Sequence, residues 1–423
     1  FQAEDGIRDR SPSRGLGDVY KRQCRTHANN WKTTEELMVQ YKAPNREYEF
    51  ILREVLNVEK ELEGYEGYEE ATWDMIEMVS DQFGKMSEEY WLTSNKDGDE
   101  IGAKFENGNV TIPPSMKKAA NVLIESGLTT LFGHQKYGGM EFPNVLSTLA
   151  DEISCATNMS LGIYMGLTKG AYHCIYNHGS EQLKETYLPR FLTGEWFGTM
   201  CLTEAHCGTD LGLIRTNAKP KGKSYSLNGQ KIFISCGEHD IAENIIHLVL
   251  ARLPDAPKGV KGISLFLVPK FLVNDDGNLG ARNGVKCVSI EEKMGVHGSA
   301  TCVMSFENAE GYLIGKPHDG LEAMFSMMNT ERIAVGLQGL GQSEIAYQNG
   351  LAYAKDRLQG RDLKEPKNPD GEADPLIVHP DVRRMLMRSK SLIDAGRMLA
   401  SWTALSIDTV SYTHLTLPTI LLV

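Results

Sequence analysis

Two runs carry the residue types best suited to chemistry: Met200-Cys-Leu-Thr-Glu-Ala-His-Cys-Gly-Thr-Asp210 and Gln230-Lys-Ile-Phe-Ile-Ser-Cys-Gly237. The first is an apolar strand end that opens into a turn with hydroxyls and a glycine. There Thr203, Gly208 and Thr209 can present hydroxyl and backbone N–H donors to an anion or to the polar edge of a ring. In the second, Ile232 and Ile234 alternate with Phe233 and Ser235, so an aromatic face and a hydroxyl leave the strand on one side. A planar ring stacked on an aromatic, with a phosphate held by a nearby Gly-Thr turn, describes a flavin dinucleotide site.

Other candidate groups fail on spacing. Gly339-Leu-Gly341 lacks the third glycine of a dinucleotide fingerprint and sits inside a helical pattern rather than after a strand. His173 and His178 are five apart, so a helix does not present them together to a metal, and no metal site is expected. Glu204 and Asp210 flank the turn, where a negative charge suits capping or bonding backbone N–H groups better than meeting a phosphate.

The elements that must position these runs follow from periodicity. Residues 34–195 read as an all-α domain. Met75, Ile76, Val79 and Phe83 recur at helical spacing, Pro113-Pro114 opens a helix at 116–126, and further helices are expected over 145–157 and 160–171. A short helix is expected to end at Pro189. From 196 to 315 the pattern becomes eight short strands, a small barrel or sandwich. Asn228-Gly229 carries a type I′ hairpin signal between two of them. Helix returns over 321–359, where Gly336, Gly339 and Gly341 read as sites of close helix crossing. A polar connector at 362–379 leads into a second helix from His379-Pro380-Asp381. Residues 316–409 thus begin a C-terminal helical bundle, and the fold class is α+β multidomain.

The bulk properties are ordinary for a globular protein: 423 residues, 41% hydrophobic and 24% charged, which allows two or three domains. A formal charge of −12 disfavours nucleic acid or an anionic membrane as the main partner. No apolar run approaches the ~18 residues of a membrane span, and no signal-peptide pattern is present. The eight cysteines, at 24, 155, 174, 201, 207, 236, 287 and 302, form no CxxC pair and read as small buried hydrophobes in a reducing, cytoplasmic setting. Residues 1–23 and 410–423 resemble translated adapter sequence and are set aside from the fold reasoning, so the natural chain is expected to continue beyond Thr409.

The two runs, with Glu292-Lys-Met-Gly-Val-His-Gly-Ser299, Met328-Asn-Thr-Glu-Arg332 and Asp356-Arg-Leu-Gln-Gly-Arg361, resemble the acyl-CoA dehydrogenases over about 41–409. The details look like the long branch that includes 3-methylmercaptopropionyl-CoA dehydrogenase, whose members carry an extra C-terminal helical domain. The resemblance implies FAD as cofactor and α,β-desaturation of a fatty-acyl or methylmercaptopropionyl-CoA thioester. It also implies an electron-transfer flavoprotein as acceptor and a homodimer or higher homo-oligomer. Cys201, Leu202 and Thr203 would run along the flavin, with Thr203 on its polar edge. Gly208 and Thr209 would approach the pyrophosphate and the acyl-CoA chain. Phe233, Ile234 and Ser235 would meet the ring, Phe233 standing where many relatives have tryptophan. Arg357 would reach the pyrophosphate across a subunit interface, and Arg332 would line the acyl-CoA pocket.

Removal of the substrate's α-proton needs a base, and a desolvated carboxylate suits. Most relatives carry it in a C-terminal Tyr-Glu-Gly-Thr motif, which this chain lacks. A minority place it beside the pocket arginine, where Glu331 stands. The same resemblance keeps two other activities open, an acyl-CoA oxidase and a flavoprotein that protects nucleic acid.

Overall fold

A computed structural model describes residues 39–65 and 67–409. Contacts divide the chain after Gln40, and every element named below belongs to the unit beginning at Tyr41. The segments 1–23 and 410–423, and Cys24, lie outside the described residues.

The N-terminal part holds helices α1 (Asn45–Glu49, continued by a π-helical turn), α2 (Val58–Glu61), α3 (Trp73–Met86) and α4 (Leu92–Glu100). They are followed by α5 (Pro114–Glu125), α6 (Asn144–His178) and α7 (Glu181–Leu192). One departure from an all-helical reading is a hairpin of β1 (Lys104–Glu106) and β2 (Asn109–Thr111), whose Val110 packs into the core of the following β region. Pro189 does not end α7. The helix carries it internally and runs on to Leu192, because packing of Leu188, Phe191 and Leu192 into the main core outweighs the lost hydrogen bond.

Helix α6 is the framework of the site. It breaks at Asn158 (φ −152°, ψ 89°), between the two helices expected from sequence. The Asn158 side chain caps the second half by accepting from Leu161 N at 3.1 Å and donates to Ser94 Oγ at 2.9 Å. Eighteen residues of straight helix span about 27 Å. Yet Lys169 Nζ lies 2.8 Å from Asp151 Oδ2, so the two halves bend back on each other.

The β region comprises β3 (Trp196–Cys201), β4 (Asn217–Lys221), β5 (Ser224–Ser235), β6 (Asn244–Arg252) and β7 (Ile263–Pro269). Strands β10 (Val285–Ile290) and β11 (Thr301–Ile314) complete it, with a separate ribbon of β8 (Phe271–Val273) and β9 (Leu279–Arg282). Strand order is β10-β11-β5-β4-β6-β3, with β7 pairing both β6 and the last three residues of β11. The result is sandwich-like and not a closed barrel. Asn228-Gly229 makes no hairpin. It lies within β5, which pairs along its length with β4 and β11, and the actual turn is at 222–223, where Gly222 has φ +63°. Long-range pairing on both edges overrides the local turn preference. Gly229 is needed there for another reason: a Cβ would stand 2.4 Å from Thr216 Oγ1.

Two long helices follow, α8 (Gly320–Asp356) and α9 (Pro380–Thr409). The order of helical, β and helical parts is the one expected. Of the three glycines, Gly341 marks a close crossing, with a Cβ there only 2.7 Å from backbone of α6; around Gly336 and Gly339 the space is open. The three long helices are pinned by fully buried Arg397 of α9, which donates to Glu152 of α6 at 2.6 Å and to Glu344 of α8 at 2.7 Å. Among the described residues no helix is long and apolar enough to cross a membrane.

Candidate active site

The two chemical runs are brought edge to edge by one backbone bond: the Thr203 carbonyl accepts from Ile232 N at 2.9 Å. Just beyond, Glu204 and Cys207 exchange backbone hydrogen bonds of 2.8 and 3.0 Å that close a tight turn. Glu204 is buried beneath it, accepting from Arg215 N at 2.7 Å, Thr216 N at 3.0 Å and Lys231 Nζ at 2.9 Å. Lys231, also buried, donates a second bond to the Leu202 carbonyl at 2.8 Å. Burial works to raise the Glu204 carboxyl, but Lys231 and the surrounding donors hold it below the usual range. Burial also lowers the Lys231 ammonium, and the Glu204 charge opposes this. Asp210 accepts from Gly212 N at 3.0 Å and caps the short helix at 211–213. Glu204, His206 and Cys207 lie together, yet the Glu204 oxygens are already committed to these donors.

Phe233 departs from simple alternation. It stands at φ +58°, in a bulge where β5 spends three steps (Lys231 to Ile234) against two on β11 (Met304 to Cys302). Cys236, three residues on, is also left-handed at φ +57°. A left-handed non-glycine residue costs roughly 1–2 kcal/mol, and such strain gathers at functional positions. Its effect here is to hold the Phe233 ring 60% exposed while Ile234 is buried. Cys201 is buried at the strand end, and Leu202, Thr203, Gly208 and Ser235 are half-buried, with Thr209 exposed.

Glu331 lies on α8 against the second half of α6. Its Oε1 is buried with no hydrogen-bond partner among the described residues. Burial chiefly, and then the Asp151 charge, push its carboxyl up to about 7, with Lys169 pulling the other way. Burial drives the Cys236 thiol up to about 12, with Ser299 and Lys293 opposing this and the Glu331 charge adding to it. Helix α6 packs between α8 and β3. Gly198 of β3 packs under Ala171 and its N–H donates to Thr168 Oγ1 at 3.2 Å, while Gly170 faces Glu331.

Arg332 is exposed, donating to Asn329 Oδ1 at 2.9 Å with its guanidinium 5.5 Å from the Phe325 ring centre. Arg357 is exposed at the C-terminal end of α8. Twenty-six residues of helix separate it from Glu331, about 39 Å, so one chain does not bring it to the same site. Sequence reasoning missed Lys231, Asp151 and Lys169. Their importance comes from partners 18 and 27 residues away, and no local pattern announces that.

The cradle fits a flavin dinucleotide on its own terms. The Thr203, Thr209 and Ser235 hydroxyls make no hydrogen bond to protein among the described residues, and Phe233, next to the Ile232 that pairs with Thr203, offers an open aromatic face.

Residues 101–195 match the acyl-CoA dehydrogenase N-terminal domain and residues 199–309 the acyl-CoA dehydrogenase middle domain. A 3-methylmercaptopropionyl-CoA dehydrogenase of Ruegeria pomeroyi is 43% identical over 364 residues, 85% of this chain and 61% of the relative. A butyryl-CoA dehydrogenase of Syntrophomonas wolfei is 38% identical over 374 residues, 85% of this chain and 60% of the relative. The chain thus spans about three-fifths of these relatives' length. Among solved structures, the butyryl-CoA dehydrogenase of Megasphaera elsdenii shares the fold, with a TM-score of 0.66 over 80% of each chain at 23% identity.

Proposed function

The chain belongs to the acyl-CoA dehydrogenase family, and from that premise we propose that it binds FAD and introduces an α,β double bond into a short acyl-CoA thioester. The observation that carries this reading is the exposed, strained Phe233 held next to the Thr203–Ile232 pairing, with the Thr203 and Ser235 hydroxyls uncommitted. FAD bound there supplies the acceptor for the β-hydride. The backbone of Cys201 and Leu202 and the Thr203 hydroxyl would hold the ring's polar edge. Phe233 would offer it an exposed aromatic face, the backbone of Ile234, whose side chain is buried, would pass beside it, and Ser235 would hold it beside the substrate. Gly208 and Thr209 bring backbone and hydroxyl donors to phosphate and to the acyl-CoA chain.

Loss of the α-proton requires a base that is poised near neutrality and shielded from water. Among the described carboxylates Glu331 has both properties, and Arg332 beside it offers a guanidinium to the CoA portion of the substrate. Arg357 serves the pyrophosphate of a second copy, which makes the working unit a homo-oligomer. Electrons pass on to an electron-transfer flavoprotein. The described cysteines are all free and buried, which fits the reducing cytoplasm.

Titration of the chain with FAD, followed anaerobically by butyryl-CoA and 3-methylmercaptopropionyl-CoA, tests the reading. Quenching of flavin fluorescence on binding and bleaching of the bound flavin by either thioester are expected. FAD that binds but is bleached by no acyl-CoA would end the dehydrogenase reading. Bleaching that survives Glu331→Gln would move the base elsewhere.

A further inference from the structure

A pocket of about 60 Å³ lies among α3, α5, α6, α7 and the start of β3. Phe83, Phe132, Phe191 and Phe197 contribute apolar wall, and Asp151 and Lys169 bring charge to it. Lys169 is 8% exposed and its Nζ sits 2.8 Å from Asp151 Oδ2. An ammonium has three N–H donors, and this bond is the one Lys169 makes among the described residues. Two donors therefore remain in a chamber whose lining is mostly apolar, with hydroxyls at Thr129, Ser147, Ser154 and Thr168. The charges of Asp151 and Lys169, which line the chamber, both act on the Glu331 carboxyl, and Glu331 meets α6 at the neighbouring Gly170, so the chamber lies close to the carboxyl assigned above to the α-proton.

The chemistry of the chamber limits what enters it. Apolar walls favour an alkyl chain, and the volume holds only a few heavy atoms. The spare N–H groups of Lys169 call for an acceptor. The charges of Lys169 and Asp151 already cancel, so an anionic tail would add unpaired negative charge close to Asp151 and Glu331. The acceptor is therefore neutral. A thioether sulfur accepts weakly, whereas an ether, hydroxyl or carbonyl oxygen accepts well.

We propose that Lys169 determines substrate choice: the chamber takes the far end of a short acyl chain, and Lys169 donates a hydrogen bond to a neutral oxygen on it. This rests on the reading that an acyl-CoA lies against Glu331.

The test is equilibrium dialysis of the FAD-loaded chain with 3-methoxypropionyl-CoA and pentanoyl-CoA, which have equal chain lengths and differ by an oxygen in place of a methylene. The ether is expected to bind at least fivefold tighter, and anionic succinyl-CoA more weakly than either. Lys169→Met is expected to abolish the preference and Lys169→Arg to retain part of it. Asp151→Asn/Lys169→Met removes both charges, leaves no buried ion unpaired, and is expected to behave as Lys169→Met does. Equal binding of the two esters by the unaltered chain overturns the role of Lys169 and leaves the acyl-CoA reading standing. So does a preference that survives in both methionine variants. Binding of no CoA ester at all overturns both.

Discussion

Gly170 and Glu331 meet where α6 crosses α8: a methyl group at position 170 would stand 2.8 Å from Glu331 Oε1 and 3.0 Å from Met327 Cγ. The Glu331 carboxylate ends a flexible side chain and can swing aside only within a buried space, while Met327 Cγ lies close to its own backbone and has little room to withdraw. Gly170→Ala is therefore expected to destabilise the fold by about 1–3 kcal/mol through overpacking. Urea denaturation measures this, and the companion Glu331→Ala should relieve part of the loss in a double-mutant cycle.

Glu331 also gives stability a pH dependence of known sign. Its carboxyl titrates near 7 in the folded chain against an ordinary value of 4.5. Between those values the folded state holds a proton that the unfolded state has lost, so stability falls as pH rises through that window. The decline amounts to at most roughly 3 kcal/mol. Glu331→Gln cannot titrate. Denaturation midpoints for the two proteins at pH 5, 6, 7 and 8 should diverge up to pH 7 and then run parallel. Parallel behaviour throughout would mean that the carboxyl is not raised.

Lys231 and Glu204 hold the turn that carries Thr203, Gly208 and Thr209. Lys231→Met leaves Glu204 charged and unpaired in a buried site, which costs about 3–5 kcal/mol. The double variant Glu204→Gln/Lys231→Met should recover much of that stability. Flavin affinity, read by fluorescence quenching, should fall in the single variant in step with the loosened turn.

Phe233 is expected to separate stability from binding. Glycine takes the left-handed conformation without penalty, and the ring is mostly exposed, so little burial is lost. After allowing for glycine's greater freedom in the unfolded chain, Phe233→Gly should stabilise the flavin-free protein by about 0.5–1 kcal/mol. The same change removes a stacking surface and should weaken FAD binding about two- to tenfold. Thermal unfolding and a flavin titration on one preparation would show the two effects moving in opposite directions.

Parts of this architecture were legible residue by residue. The break in α6 falls at Asn158, where one apolar pattern ends and a run of small residues begins, and the asparagine itself supplies the cap. That Glu204 and Asp210 would bond backbone N–H groups was readable from charge type and position. Other local signals misled. Asn228-Gly229 and Pro189 carry strong conformational preferences, but each lies where long-range pairing or packing is worth more than the local preference.

By itself the sequence determined which residue types carry hydroxyl and aromatic chemistry, that a β part lies between helical parts, and that Glu331 accompanies Arg332 on a helix. Those properties depend on side-chain chemistry and on periodicity within a few turns. The tertiary structure alone decided that Thr203 pairs with Ile232 and that a bulge turns Phe233 outward. It also decided that α6 doubles back to set Lys169 beside Asp151 and Gly170 against Glu331. Register and the partner of a buried charge are set by segments far apart in the chain. The free energy of such groups depends on what surrounds them after folding, and no local window of residues contains that.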